Sequence, residues 1–294
     1  MQPKLPVRIY IPLLLTLSSG LPAGFLFAGE SNTLSAQQVI DRIKAHTGGS
    51  WKKGTVDTFK AGDPKTPVTG IVTTFADTFD VLERAAASGK NLIITHEPTF
   101  YNHLDETKQL KSDPVFQAKL AFIQEHHMVV WRFHDHWHSP AMARDGIMQG
   151  MVTSLGWEKF QDPDNQALFT FPDTDLAAFA SSIKARLNIR DMRVIGDPAQ
   201  KVQHVFFLPG AAGADRQIKA LELPNVDILV VGESREWETV EYARDAVSQH
   251  KPKGLIILGH VVSEESGMVY CAEWLKTFVT EVPIEFMAAG EPFQ

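Results

Sequence analysis

Four short runs made almost wholly of Val, Ile, Leu and their apolar neighbours constrain this fold more than any other feature. They are "NLIIT" (91–95), "MVVWRF" (128–133), "VDILVVG" (226–232) and "GLIILG" (254–259). None alternates apolar with polar, so each reads as a strand buried on both faces, the pattern of a parallel sheet covered by helices. The segments between them carry helical spacing. "TFDVLERAAASGK" (78–90) ends on Gly89, and "DPVFQAKLAFIQEHH" (113–127) offers Asp113 as a cap and Pro114 as first residue. "EWETVEYARDAVSQH" (236–250) places Trp237, Val240 and Val247 on one side, and "GMVYCAEWLKTFV" (267–279) is a further helix. "SAQQVIDRIKAH" opens with Ser35 and Gln38 at capping-box spacing. "VTGIVTTF" (68–75), "HVFFLPG" (204–210) and "PIEFM" (283–287) add strands.

Strand and helix alternate in both halves, so the expected class is α/β with largely parallel sheets. "TTFADTFDVLERAAASGKNLIITHEP" and "LPGAAGADRQIKALELPNVDILVVGES" share one layout. This predicts two similar lobes, about 35–160 and 161–294, with "FQDPDNQ" (160–166) as the linker.

A chain of 294 residues, 44% hydrophobic, is long enough for a substantial core. Its net charge of −7 and the lack of a basic, aromatic-studded patch argue against nucleic acid as a partner. Lys4 and Arg8 precede twenty uncharged residues, "IYIPLLLTLSSGLPAGFLFA". With Leu26 and Ala28 before "GES", residues 1–28 read as a cleaved export signal, hence a periplasmic or secreted protein. Retention as a membrane anchor is the alternative, though Pro12, Gly20, Pro22 and Gly24 would break the helix. Cys271 is the single cysteine and lies in an apolar helical pattern. Any metal must therefore be held by His and carboxylates.

Each apolar strand runs into residues of one chemical kind. "NLIIT" leads to His96 and Glu97, and "MVVWRF" to His134, Asp135, His136 and His138. "VDILVVG" leads to Glu233, and "GLIILG" to His260 with Glu264 four residues on. Ligands of open α/β sheets bind beyond the carboxyl ends of the strands. His134/His138 and His260/Glu264 each stand one helical turn apart, so clustered donors point to a metal site at that edge, between the lobes. His46, His126, His127, His204 and His250 read as structural or solvent histidines, with His126 and His127 at a helix C-terminus. His103 is expected just outside the donors. Trp131 reads as packing and Tyr101 as a pocket wall. Ser139 has no nucleophile elbow around it, and "LPGAAGAD" (208–215) lacks the dinucleotide and P-loop fingerprints, though its backbone N–H groups suit an anion.

"ITHEPTFY", "RVIGDP", "LPGAAGAD", "VVGES" and "LGHVVSEESG" occur in the order found in one family. Over residues 35–294 the chain resembles the NIF-three-like, dinuclear-metal-centre family, also known as GTP cyclohydrolase I type 2 homologues, without the domain often inserted between its halves. The resemblance implies a hexameric ring, a small-molecule substrate and two divalent ions, Zn, Fe, Mn or Co. It implies as ligands His96, Glu97, His134, His138, His260 and Glu264, with Glu233 less firmly placed. It departs from the family twice: Glu97 stands where a His is usual, and His138 where a bridging Asp is usual. One carboxylate is lost and one gained, so the expected set keeps four imidazoles and two carboxylates. The expected activity is metal-dependent hydrolysis by an activated water, with Glu97, Asp135 and His136 as candidates to move the proton. A non-catalytic metal binder for storage, delivery or sensing is the alternative. No guanine-reading motif supports GTP as the substrate.

Overall fold

The computed structural model describes residues 33–48, 50–139 and 144–293. Residues 1–28, read above as an export signal, lie outside them. In chain order the first half contains α1 (Ala36–His46), β1 (Phe59–Ala61), β2 (Ile71–Thr74), α2 (Phe79–Ala87), β3 (Leu92–Thr95), α3 (Pro114–Glu125), β4 (Val129–Arg132) and α4 (Gly146–Leu155). The second contains β5 (Leu168–Asp175), α5 (Leu176–Leu187), β6 (Arg193–Ile195), β7 (Lys201–Leu208), α6 (Ala214–Glu222), β8 (Ile228–Val231), α7 (Glu241–Ser248), β9 (Gly254–Ile257), α8 (His260–Lys276) and β10 (Ile284–Phe286).

Two five-stranded sheets result. One has the order β1-β4-β3-β2-β10, parallel except for β1, and the other β5-β7-β8-β9-β6, parallel through its three central strands. The class is the α/β arrangement expected. One difference concerns the halves. The last strand, which sequence order assigns to the second lobe, pairs with β2 in the first sheet. α8, which follows β9 of the second sheet, carries the chain across to this edge of the first.

Strand periodicity explains the layers. Ile71, Leu92, Ile94, Val129 and Trp131 join Ile228, Val230 and Ile256 in one large core. The residues between them point the other way. Val72, Ile93 and Val130 pack with Val81, Leu82 and Ile123 of α2 and α3. Leu229, Val231 and Leu255 pack with Leu221 of α6 and Ala243 of α7. Each sheet is thus covered on both faces, which is what non-alternating strands demand.

Local signals hold at most helix starts. Ser35 and Gln38 form the capping box of α1, and Thr78, Asp113, Asp145 and Asp175 cap α2 to α5. α4 and α8 cross at close range: a methyl on Gly150 would overlap the backbone of Ser266 and Gly267. Three expectations change. The helix expected from 267 begins at His260, because Gly259 (φ 96°) turns the chain straight from β9 into it. Trp237 is 75% exposed and does not share a buried side with Val240; its segment is a wide π-turn before α7, and Thr239 and Ala243 are the buried residues. Tyr101, expected as a pocket wall, is exposed with the Lys119 ammonium over its ring. Trp131 is core, as expected.

Candidate metal centre

β2, β3 and β4 end together, and the chain delivers a donor beyond two of them. His96 and Glu97 extend β3, their N–H groups donating to the carbonyls of Thr74 and Phe75. Past β4 the chain turns tightly, the His138 N–H donating to the His134 carbonyl. That turn is built on one buried carboxylate. Asp57 accepts the N–H groups of His134, Asp135 and His136 (2.7, 2.9 and 2.9 Å) and the Nδ1 of His136 (2.6 Å). From the second sheet, α8 presents His260 and, one turn on, Glu264.

Each imidazole of the cluster has its Nδ1 turned toward an oxygen. Nδ1 of His96 lies 3.0 Å from the Phe133 carbonyl, that of His134 3.0 Å from Asp135, and that of His138 2.8 Å from Asp145. His260 Nδ1 is 3.6 Å from Glu233. A carbonyl only accepts, so the neutral form of His96 carries its proton on Nδ1 and bares its Nε2 lone pair, as do the neutral forms of His134 and His138. This is how outer carboxylates and carbonyls orient imidazoles that bind metals.

The Nε2 atoms point at one another and at the carboxylates. His96 Nε2 lies 3.2 Å from His138 Nε2 and 3.4 Å from Glu264 Oε2. His260 Nε2 lies 3.1 Å from Glu264 and 3.5 Å from Glu97 Oε1, which is 3.8 Å from His134 Nε2. Two groups, His96/His134/His138 and His96/Glu97/Glu264, have all their donor atoms within 4.8 Å of one another. Between neutral rings such facing lone pairs repel unless a cation, a proton or a metal ion, lies between them. Two nitrogens on one tetrahedral ion with bonds of ~2.0–2.1 Å stand roughly 3.3 Å apart. The residues therefore fit a divalent ion by distance and by donor type.

The charges agree. Burial works against a charged His260, but hydrogen bonding to Glu233, Glu264 and Glu97 outweighs it and carries its pKa to about 12. Glu264 is almost wholly buried, yet His260 and His96 pull it well below the usual carboxylate range, and Glu97 is lowered in the same way. Burial, with His96 and His138 nearby, lowers His134 to about 4, so it is neutral. Burial opposes charge on His138 as well, but Asp145 raises it. The carboxylates draw positive charge into the cluster, a role an ion can take from His260.

The structure thus brings together all six residues expected as ligands. It does not free the expected proton carriers. His136 is buried, its Nε2 accepting the Lys52 N–H (3.1 Å) and its ring stacked on Trp51 (centroids 3.5 Å apart). With Nδ1 on Asp57 as well, both ring nitrogens are committed to the turn. Asp135 accepts from Thr55 and Val56 and faces His134; burial alone would raise its pKa, but the bonds from His134 and Thr55 hold it at about 2. Glu97 Oε2 lies 3.3 Å from the guanidinium of Arg132, which also donates to the carbonyls of His96 and His103. His103 stays outside, its ring 6.1 Å from that of His134. Glu233 lies beside His260 with its side chain 56% exposed.

Arg132, Asp57 and Asp145 are the supporting residues that sequence reasoning missed. Asp145 carried a signal, an Asp before the apolar run "GIMQGMV", which is an N-cap pattern. Asp57 and Arg132 carried none, since their partners are remote in the sequence.

Two sheets joined at their carboxyl edges by a His/Glu cluster define the class, an α/β protein with a candidate metal centre. Residues 55–292 match the model of the Duf34/NIF3 (NGG1p interacting factor 3) family, and the chain belongs to that family. It is 23% identical to a GTP cyclohydrolase 1 type 2 homolog of Clostridium perfringens over 248 residues, 79% of this chain and 88% of that protein. A Clostridium acetobutylicum protein of the same name is 24% identical over 192 residues, 62% of this chain and 69% of its own. Among solved structures, a Bacillus cereus protein related to NIF3 superposes with a TM-score of 0.69 at 14% identity, over 89% of this chain and 99% of its own. The Staphylococcus aureus hypothetical protein SA1388 gives 0.67 at 17%, over 90% and 99%. These likenesses establish the fold.

Proposed function

We propose that this protein is a metal-dependent hydrolase with a dinuclear centre. The observation that carries this reading is the 3.2 Å approach of His96 Nε2 to His138 Nε2, each with its Nδ1 turned to an oxygen. An imidazole nitrogen has one lone pair, so His96 serves one ion. His96, His134 and His138 make a nitrogen-rich set, while His260 and Glu97 make a second, oxygen-richer one. Glu264 spans both, with Oε2 toward His260 and His96 and Oε1 3.9 Å from His138. Glu97 supplies the oxygen that His138 does not. Imidazole and carboxylate without thiolate suit Zn, Fe, Mn or Co. Bound ions supply a water of pKa near ~7 and a clamp for the developing oxyanion.

The chain's own residues do the rest. Arg132 holds Glu97 in place and offsets its charge. Phe133, Asp135 and Asp145 keep three imidazoles in the tautomer that faces inward. With Asp135, His136 and Glu97 all engaged, Glu233, more than half exposed and facing only His260 at 3.6 Å, is the carboxylate that would take the proton of a bound water. The same engagement favours the second reading, a metal-binding protein for storage or delivery that turns nothing over.

The full chain, reconstituted separately with Zn, Fe, Mn and Co, would be assayed on phosphoesters, nucleotides and amides while bound metal is counted. Two ions per chain and turnover abolished by His260→Ala are expected. Tight uptake without turnover on any substrate selects the binding protein. One ion per chain, unchanged by Glu97→Ala, rejects the exchange of carboxylates between 97 and 138.

A further inference from the structure

Beside the cluster, on the second sheet, lies a cavity of about 620 Å³. That is the size of a small-molecule site. It is continuous with the metal centre, because Glu233, Gly259 and His260 line it. Its floor is built. The buried Gln217 donates to the Glu233 carbonyl (2.8 Å) and accepts from the hydroxyls of Ser234 (3.0 Å) and Thr239 (2.8 Å). One wall is apolar, formed by Leu258, Val261 and Val262, and Pro292 and Phe293 stand among the other lining residues. Phe293 is held by its carbonyl, which accepts from Arg190 (2.7 Å).

The charged lining carries both signs, and most of it is already paired. Of its three acids, Glu291 is taken by Arg190 at 3.2 Å, Glu233 faces His260 at 3.6 Å, and Asp191 stands beside Arg193 in the lining. Two arginines line the same space. Arg193 pairs with Glu236 and Arg235 with Glu238, each at 3.1–3.2 Å, and both guanidiniums are more than half exposed. Such surface pairs are weak and yield readily to a better partner. α6 and α8 also start at this cavity, from Gly213 (φ 81°) and Gly259, with no capping side chain and open space where a Cβ would stand. Their first-turn N–H groups add donors to those of the arginines.

We propose that this cavity binds the substrate of the centre, a small molecule with a flat apolar body and one anionic oxygen group. The apolar wall takes the body. Arg193, Arg235 and the two helix starts take the anion. Glu233 and His260 stand where the bound molecule meets the metal cluster. The word substrate rests on the hydrolase reading; the binding itself does not.

The test uses two fluorescent probes that differ by one charged group, 8-anilinonaphthalene-1-sulfonate and the uncharged N-phenyl-1-naphthylamine. Both would be titrated into the full chain before and after chelator treatment. The sulfonate should bind more tightly in both states. Arg193→Gln and Arg235→Gln should each weaken the sulfonate about fivefold and leave the neutral amine unchanged. Ala214→Trp, which fills the cavity, should abolish both, with an unchanged far-ultraviolet circular dichroism spectrum and urea midpoint to show that the chain is folded. Equal affinity for the two probes, or binding that survives Ala214→Trp in the folded protein, overturns the proposal. Absence of turnover would sink the hydrolase reading and leave this result standing.

Discussion

The two sheet edges that meet at the centre are built on opposite plans. The first-sheet edge is crowded with buried charge: Asp57 under the histidine turn, Arg132 under Glu97, and Asp77 against Lys119 (3.4 Å). Apart from His260 and the buried Glu264 on α8, the second-sheet edge offers backbone, glycine and empty volume, with its arginines at the rim. A donor set must be held in one geometry, and buried hydrogen-bonded charge does that. A pocket must admit a guest, and bare backbone beside an apolar wall does that. The chain thus divides labour between fixing donors and making room.

The largest effect that would break this contrast is at Asp57. Asp57→Ala leaves three backbone N–H groups and the His136 ring without their acceptor in a buried turn. Removing one partner of such a network costs about 3–5 kcal/mol. Urea unfolding should lose that much, and metal retention should fall with it. A loss under about 1 kcal/mol, the worth of a single ordinary hydrogen bond, would mean the turn holds itself, and that the first edge is not fixed by its buried carboxylate.

How far this contrast is legible in the sequence depends on range. The strands and the donors beyond them are legible because each rests on a contiguous pattern, apolar run then His or Glu. Ser35, Thr78 and Asp113 are legible as caps because capping is local. The supports are not. Asp57 reaches its turn only through the pairing of β1 with β4, and nothing around it in "GTVDTF" marks it. His136 reads as a proton carrier beside His134 and His138 until the turn stacks it on Trp51 and ties both its nitrogens. The start of α8 is hidden because its first two turns, "HVVSEES", have no cap residue and little apolar periodicity. The cavity is not legible at all, because it lies among several separate chain segments.

The second prediction concerns the one first-edge carboxylate that lacks Asp57's hydrogen bonds. Asp77 is 1% exposed, and among the described residues its oxygens find no well-formed hydrogen bond. Burial pushes its pKa up from 3.8 to about 6, against the pull of Lys119. The folded chain therefore holds this proton more tightly than the unfolded chain. The contribution to stability is full below about 3.8 and is lost as pH rises through about 6. The interval is worth on the order of 3 kcal/mol. Measured by urea midpoints, the stability of the native chain relative to Asp77→Asn should fall between about pH 4 and pH 7. A pH-independent difference would show that Lys119 neutralises Asp77 fully, and that the first edge carries no uncompensated charge.

The smallest effect belongs to the second edge. Gly213 has φ 81° and ψ 152°, a region that side chains rarely enter, and a Cβ there meets no atom within 4 Å. Gly213→Ala should thus cost only the backbone strain, about 1–2 kcal/mol, with no clash. The metal content should not change, since no donor of the cluster lies on α6. The added methyl stands at the start of α6, where the anion is proposed to bind, so sulfonate affinity should drop while the neutral probe is little affected. Stability and metal content lost together, as expected for Asp57→Ala, would mean that this loop also fixes the donors. The two edges would then be one rigid frame, and the division between holding and admitting would fail at the point where it is drawn most sharply.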